Sequence, residues 1–388
     1  MSEVRVNNLS NENNTGGPTI SGITTYSGRH FFVPPQGDTA SRPSDCEPGS
    51  LRFNTDTAHL EYFRGNTIGW TEIEAELTSP LGGGTGSNTG LGNRMIFMGG
   101  TDGSSVIDVI EFITISTLGN IQDFGNLISS EMEGGSLSSR TRGFYFGGDP
   151  ADNDIEFIIF ASLGNATDFG NLIANSKSGT GCSDQIRGII THGSPYTNQI
   201  SYITMASSGD SVDFGDTTAA CYAGGASSSS TRGVIALGST PSTPYSNSID
   251  FITIKTTGNG QDFGDLSTSG VHCVAYSNAT RGVFHSAYQY PASPNFMNVI
   301  QYVTIATLGN TTDFGDSLTG GYGAGGASPT RGVSGGGYSA NAPTGETAGF
   351  TNIIDFIQIM SSGNAQDFGD LSVAKRHVKG DSNGHGGL

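Results

Sequence analysis

The sequence predicts an all-β chain: a six-bladed β-propeller closed by its C-terminal strand and preceded by a small β-hairpin module. Three observations carry this prediction. The tripeptide Asp-Phe-Gly begins six times, at Asp123, Asp168, Asp213, Asp262, Asp313 and Asp367. Each is preceded, at a constant 13 residues, by an Ile that opens a run such as IEFITI, ISYITM or IQYVTI. The first five are followed after 18 or 19 residues by an Arg that opens another short apolar run. Self-similarity at a fixed period is the mark of a repeat architecture.

Each repeat reads as four strands. Runs such as RGFYF at 142–146 give one strand, and the Ile run, rich in β-branched and aromatic residues, gives the next. The Ile run ends in Gly-Asn or Gly-Asp, at Gly119, Gly164, Gly209, Gly258, Gly309 and Gly363. These dipeptides accept positive φ and suit a tight hairpin into a strand holding Asp-Phe-Gly. A fourth, weaker strand falls in the Ser/Gly/Ala-rich stretch before each Arg. The Ile run is apolar on both faces, which suits a sheet covered on both sides rather than one wet on one side.

Length variation sits in one place, between each Arg and the next Ile, where the gaps are 16, 13, 13, 17, 19 and 23 residues. A rigid scaffold with one variable loop per unit displays its insertions on a single face. The two ends complement each other. The Arg expected near position 386 is missing, so residues 372–387 read as a fourth-type strand without its successor. Arg94 opens the first apolar run with no such strand before it. Joining the two completes one blade and leaves no open edge.

Residues 231–238 (TRGVIALG), 249–266 (IDFITIKTTGNGQDFGDL) and 307–317 (TLGNTTDFGDS) resemble the kelch-like repeats of marine bacteriophage virion proteins. The double Gly after the Arg strand, at Gly99-Gly100 and Gly147-Gly148, is similar to kelch repeats as well. The chain departs from that pattern in having no blade tryptophan, with the Phe of Asp-Phe-Gly in its place, and in losing Gly-Gly from the third to fifth repeats.

Ahead of the repeats, residues 1–18 are Asn/Ser/Gly-rich and read as a flexible N-terminus. Residues 19–77 read as a small β module: strands in ISGITTYSG and HFFVPP, then a hairpin from Leu51 through the turn Asn54-Thr55-Asp56 to Tyr62, closed by Trp70. Arg42-Pro43-Ser44, GSLRFNTDTAHLEYF and the Gly-x-x-Trp ending resemble a module near the N-termini of phage tail-fibre and other virion appendage proteins. That resemblance implies attachment to the particle. Residues 78–93 are a Gly-rich linker and 94–388 the propeller.

Composition excludes several roles. The net charge is −18, with 35 acidic against 17 basic residues, so nucleic acid is not an expected partner. No apolar run reaches 18 residues, and the start lacks the basic and apolar stretches of a signal peptide. Cys46, Cys182, Cys221 and Cys273 show no CxxC spacing and read as thiols of a reducing compartment. The resemblance to virion appendage proteins implies a location in the virion, assembled in the host cytoplasm.

Asp-Phe-Gly occurs in the magnesium-binding segment of protein kinases, but a catalytic residue is used once and a scaffold residue recurs in every blade. The recurrent Asp and Arg read as paired or hydrogen-bonded groups at blade corners. The Asn or Asp after each Asp-Phe-Gly reads as turn chemistry. No zinc, calcium or nucleophile motif is present, so the sequence predicts no catalytic residue, metal or cofactor, and no enzyme. Candidate ligand-binding residues lie in the variable loops: Tyr245, Tyr288, Tyr290, Phe296, Tyr338 and Phe350. Aromatics among hydroxyls and amides stack on sugars or anchor protein interfaces. The function expected is a phage virion protein of fibre or appendage type, bound to other virion proteins through residues 19–77 and displaying the propeller to a host-surface glycan or protein. The alternatives are a structural capsid or tail connector and a glycan-degrading enzyme, which needs a unique acidic pair.

Overall fold

The computed structural model describes residues 34–57, 59–72, 93–285, 288–289, 296–339 and 349–388. The chain divides into two compact units, Met1–Ala75 and Glu76–Leu388. The strands expected within 19–33 and the linker expected at 78–92 lie outside the described residues. Every regular element among those described is a strand.

In the first unit the strands Gln36–Gly37, Leu51–Asn54, His59–Phe63 and Trp70–Glu72 form one sheet in that order. The expected hairpin is present, with Leu51 opposite Tyr62 and Phe53 opposite Leu60. Its turn is held by the Asp56 N–H donating to Asn54 Oδ1 at 2.9 Å. The sheet is polar on its covered face. Arg52, Asn54 and Glu61 are buried, while Leu51 and Leu60 are exposed. Arg42 pairs with Glu61, whose Oε1 also accepts from Asn54 Nδ2 at 2.7 Å, so the buried carboxylate is fully matched. Trp70 packs on Phe63 at 5.5 Å and donates from Nε1 to Pro43 O at 2.9 Å.

The second unit contains six four-stranded antiparallel sheets among the described residues. The second sheet shows the plan: Gly135–Ser138, Arg142–Phe146, Asp152–Ile159 and Thr167–Ser176, each paired with the next. The third is Thr180–Ser183, Arg187–Thr191, Thr197–Thr204 and Val212–Cys221. The fourth is Gly225–Ser228, Arg232–Ala236, Ser248–Thr253 and Gln261–Asp265. The fifth is Val274–Ser277, Arg281–His285, Val299–Thr304 and Thr312–Asp316. The sixth is Ala324–Ala327, Arg331–Gly335, Ile353–Gln358 and Gln366–Asp370. The first sheet takes its first strand, Lys379–Ser382, from the far end of the chain. That strand pairs with Arg94–Met98, which is followed by Val109–Thr114 and Gln122–Asn126.

Each sheet is apolar on both faces because it packs on two others. In the first sheet Ile96 and Met98 join a core with Tyr145, Ile158 and Phe160 of the second. Met95 and Phe97, on the other face, join Val333 and Ile354 of the sixth. Within every sheet the Asp-Phe-Gly Phe is buried and sits edge-on to the aromatic of the Ile strand, as Phe124 does to Phe112 at 5.9 Å and 84°. The Arg guanidinium lies over the same aromatic ring, 4.3–4.7 Å from its centre in all six sheets.

Three further contacts recur between each sheet and its successor, the sixth being succeeded by the first. The Arg Nη1 donates to a carbonyl just past the next sheet's third strand, from Arg94 to Phe160 at 2.7 Å through to Arg331 to Ile115 at 2.8 Å. The hairpin Gly N–H of the next sheet donates to the Asp-Phe-Gly Phe carbonyl, as Gly164 does to Phe124 at 2.9 Å and Gly119 to Phe368 at 3.0 Å. The hairpin Asn or Asp side chain accepts the N–H three residues past the repeat Asp, as Asn165 does from Asn126 at 3.1 Å and Asn120 from Asp370 at 3.2 Å. The recurrent Arg is thus hydrogen-bonded, as one of the two expected readings has it, but it is not paired with the recurrent Asp. All six Asp residues are exposed and none forms a salt bridge with an Arg among the described residues, whose guanidinium is already taken.

Candidate ligand-binding face

Antiparallel order puts the connection between second and third strands at the same end of each sheet as the connection from the fourth strand to the next sheet. The variable loops therefore share one face with six turns that hold Glu133, Ser178, Ala223, His272, Tyr322 and His377. All six residues are left-handed, with φ between 54° and 63°. Five N–H groups in succession donate to the carbonyl of the preceding member, at 2.5–3.2 Å, from Ser178 to Glu133 through to His377 to Tyr322. Between His377 and Glu133 the link is made by side chains instead, Nε2 to Oε1 at 3.3 Å. Glu133 Oε2 also accepts from Ser178 Oγ at 3.0 Å and faces Lys177 Nζ at 3.3 Å, and Lys177 bridges on to Asp149 at 3.0 Å. Burial pushes His377 down to about 2 and His272 well below the usual histidine value, so both rings are neutral.

Aromatic side chains gather beside these turns. Phe296 stacks on Tyr338 at 3.8 Å, and Phe350 meets Tyr338 edge-on at 5.3 Å. Tyr288 lies 5.3 Å from Phe296 and 6.1 Å from Tyr322, which itself stacks on His272 at 4.1 Å. Tyr245 touches the edge of the group at 6.3 Å from Tyr288. Arg376 lies 5.0 Å from the Phe350 ring centre and donates to the Tyr338 hydroxyl. The structure thus brings together five of the six candidate residues, and Tyr290 lies outside those described. The five are not equivalent. Phe296 and Tyr338 are buried, at 6% and 2% exposure, and form the base of the cluster. Tyr245, Tyr288 and Phe350 are half-buried and present their remaining surface to the loop face. Tyr322, His272 and Arg376 complete the group and were missed. Their stretches before the Arg strands carry only the signal of a weak fourth strand.

The first strands of all six sheets ring a cavity of about 60 Å³, lined by Thr180, Gly225, Cys273, Ala324, Lys379 and Asp381 among others. At its far end their last residues are joined by hydroxyls. Ser138 donates to Ser382 O, Ser183 to Ser138 O, Ser228 to Ser183 O, Ser277 to Ser228 O and Ser382 to Ala327 O, all at 2.6–2.8 Å. Ala327, lacking a hydroxyl, is the one break. Burial raises the Asp381 carboxyl above its ordinary value, and pushes the Cys182 and Cys221 thiols up to about 12 and about 11. Such thiols are poor nucleophiles. Among the described residues no group of three or more His, Cys, Asp or Glu is disposed to hold a metal ion.

No protein-family profile matches the chain, and no curated protein matches its sequence. Among solved structures the chain is similar to a fungal alcohol oxidase of the AA5 family in complex with copper, at 11% identity and a TM-score of 0.46. The match covers 73% of this chain and 64% of that one, so the chain spans less than two thirds of that protein's length. Against this finding the expectation that the chain is not an enzyme does not stand. At that identity and score the likeness assigns neither copper nor an oxidase activity to these residues.

Proposed function

We propose that the chain is a phage virion protein of appendage type, in which residues 19–77 attach to other virion proteins and residues 94–388 form a six-bladed, kelch-like propeller that meets the host surface. Closure of the six sheets into a ring is supported by the contacts that run from each sheet to the next and from the sixth to the first. The observation that carries the recognition role is the one-sided display. All the variable loops share a face, and the longest carry half-buried aromatics beside neutral histidines and an arginine. Aromatic surface with polar rims is what sugar rings and protein hot spots both use.

The reading is tested with purified full-length protein on host cells and on a glycan array. Tyr245→Ala with Tyr288→Ala should lower binding at least tenfold, while Leu118→Ala with Leu163→Ala, on exposed hairpins at the opposite face, should leave it unchanged. Equal binding by both double variants, at unchanged melting temperature, overturns recognition through this face. Antibody labelling that finds the repeats buried at a joint of the particle, rather than exposed, favours a connector instead.

A further inference from the structure

We propose that the cavity ringed by the six first strands is an anion site with Lys379 as its charged ligand, and that it takes a small monovalent anion, a halide or a carboxylate group.

The charge is singular within the repeat. Lys379 opens the first strand of its sheet, and the matching positions in the other five are Gly135, Thr180, Gly225, Val274 and Ala324. A residue needed by the scaffold recurs in every unit, and this one does not. Lys379 lines the cavity as a half-buried side chain; among the described residues its ammonium makes no hydrogen bond or salt bridge, and Glu133 and Cys273 act on it only through their charge. Glu133, the carboxylate that acts on it, and Asp381, in the lining of the same cavity, are both engaged elsewhere. Glu133 is shared by His377, Ser178 and Lys177. Asp381 accepts from Ser382 N at 2.7 Å and lies 3.9 Å from His385 Nε2. An ammonium half withdrawn from water without a close counter-ion is costly, and desolvation accordingly pushes Lys379 below the usual lysine value. An anion beside Nζ supplies the missing countercharge, as paired buried charges require.

Size and access fit the same occupant. A water needs about 10–15 Å³ of such space, so 60 Å³ admits a halide or a carboxylate and little more. One end of the cavity is stopped. His385 Nε2 lies 3.1 Å from Ser183 Oγ and 3.2 Å from Ser138 O, and the Gly386 N–H donates to Ser277 O at 2.9 Å. Gly387 lies so close to Ser183 O that a Cβ there would meet it at 1.8 Å. Entry is thus through the turns of Glu133, Ser178, Ala223, His272, Tyr322 and His377, on the loop face. With a net charge of −18 the chain does not steer anions from afar, so selectivity must be local to Nζ.

Melting the full chain at fixed ionic strength, with bromide or acetate replacing the bulky sulfonate 2-(N-morpholino)ethanesulfonate, should raise the melting temperature progressively with anion concentration. Lys379→Met should remove that rise. Crystals of the unaltered protein soaked in bromide should show an anomalous peak beside Nζ, which decides the matter if the variant does not fold. Displacement of that peak by galacturonate as well as by acetate identifies the carboxylate of an acidic sugar as an occupant, and displacement by acetate alone identifies free small anions. No anion-specific rise together with no peak, or a rise retained in Lys379→Met, overturns the site.

Discussion

The acid of the Ile-acid-aromatic-Ile motif shows how one position serves six sheets with different chemistry. Glu111, Glu156, Ser201, Asp250, Gln301 and Asp355 are all buried there. Several accept from the backbone five residues past the preceding sheet's repeat Asp: Glu156 from Ile128 N at 2.8 Å, Asp250 from Thr218 N at 2.7 Å and Asp355 from Leu318 N at 2.7 Å. Glu111 instead pairs with buried Lys375 at 2.6 Å. Glu156 has no salt-bridge partner among the described residues, and desolvation, opposed by the Ile128 bond and assisted by Glu131, Asp154 and Asp152, raises it from 4.5 to about 7. A carboxyl raised in the folded state favours folding while it is protonated. Its contribution is lost as pH climbs from its unfolded value through about 7. Gln301 fills the same position, taking Ser267 N at 2.8 Å and donating to Thr268 O at 2.7 Å, so an amide fits the site. Glu156→Gln should therefore gain stability relative to the parent between pH 5 and 8, on the order of 2–3 kcal/mol. Urea melts of both proteins at the two pH values measure it, and parallel pH profiles would exclude the charge as the cause.

At the scale of the element, the glycine of Asp-Phe-Gly explains why that tripeptide recurs. Gly264 has φ +144°, and a Cβ on it would lie 2.5 Å from the carbonyl oxygen of Gly309 in the next sheet's hairpin. Gly309 has φ +149°, but a Cβ there meets nothing within 4 Å. The two glycines thus separate backbone conformation from close approach. Gly264→Ala should cost about 2 kcal/mol or more, and clearly more than Gly309→Ala, which suffers the strained φ alone. Equal losses in chemical denaturation would show that adjacent sheets yield at this contact. The motif's letters were legible in the sequence, and the repeat exposed their importance. Their physical roles were not, because the Asp faces solvent, the Phe packs within its own sheet and the Gly answers to a hairpin 45 residues further on.

For the whole molecule, the pairing of Lys379–Ser382 with Arg94–Met98 joins residues nearly 300 apart, and the Arg331 to Ile115 bond repeats the connection at the other end of the sheets. Loop-closure entropy grows slowly with length, so this long connection is tolerated once the strand has a matching edge. Deleting residues 379–388 should strip the first sheet of a strand, expose the backbone edge of Arg94–Met98 and open the cavity. Aggregation or a much lower melting temperature is the expected result, and unchanged melting would show that the last strand is dispensable.

By itself the sequence determined what repeats and constant spacings encode: the strands of each unit, the hairpins at Gly-Asn, the apolar character of both faces, and the edge that awaits a strand from the other end of the chain. Those are local or periodic properties, and each residue type states them directly. Only the tertiary structure decided where the single, unrepeated residues went. It put Phe296 and Tyr338 beneath Tyr245, Tyr288 and Phe350, gave the Arg a ring and a carbonyl as its partners, and left Lys379 without a salt bridge in a cavity that six separate strands enclose. The reason is that burial and pairing depend on neighbours brought together across 40 to 290 residues, and no spacing within one repeat records them.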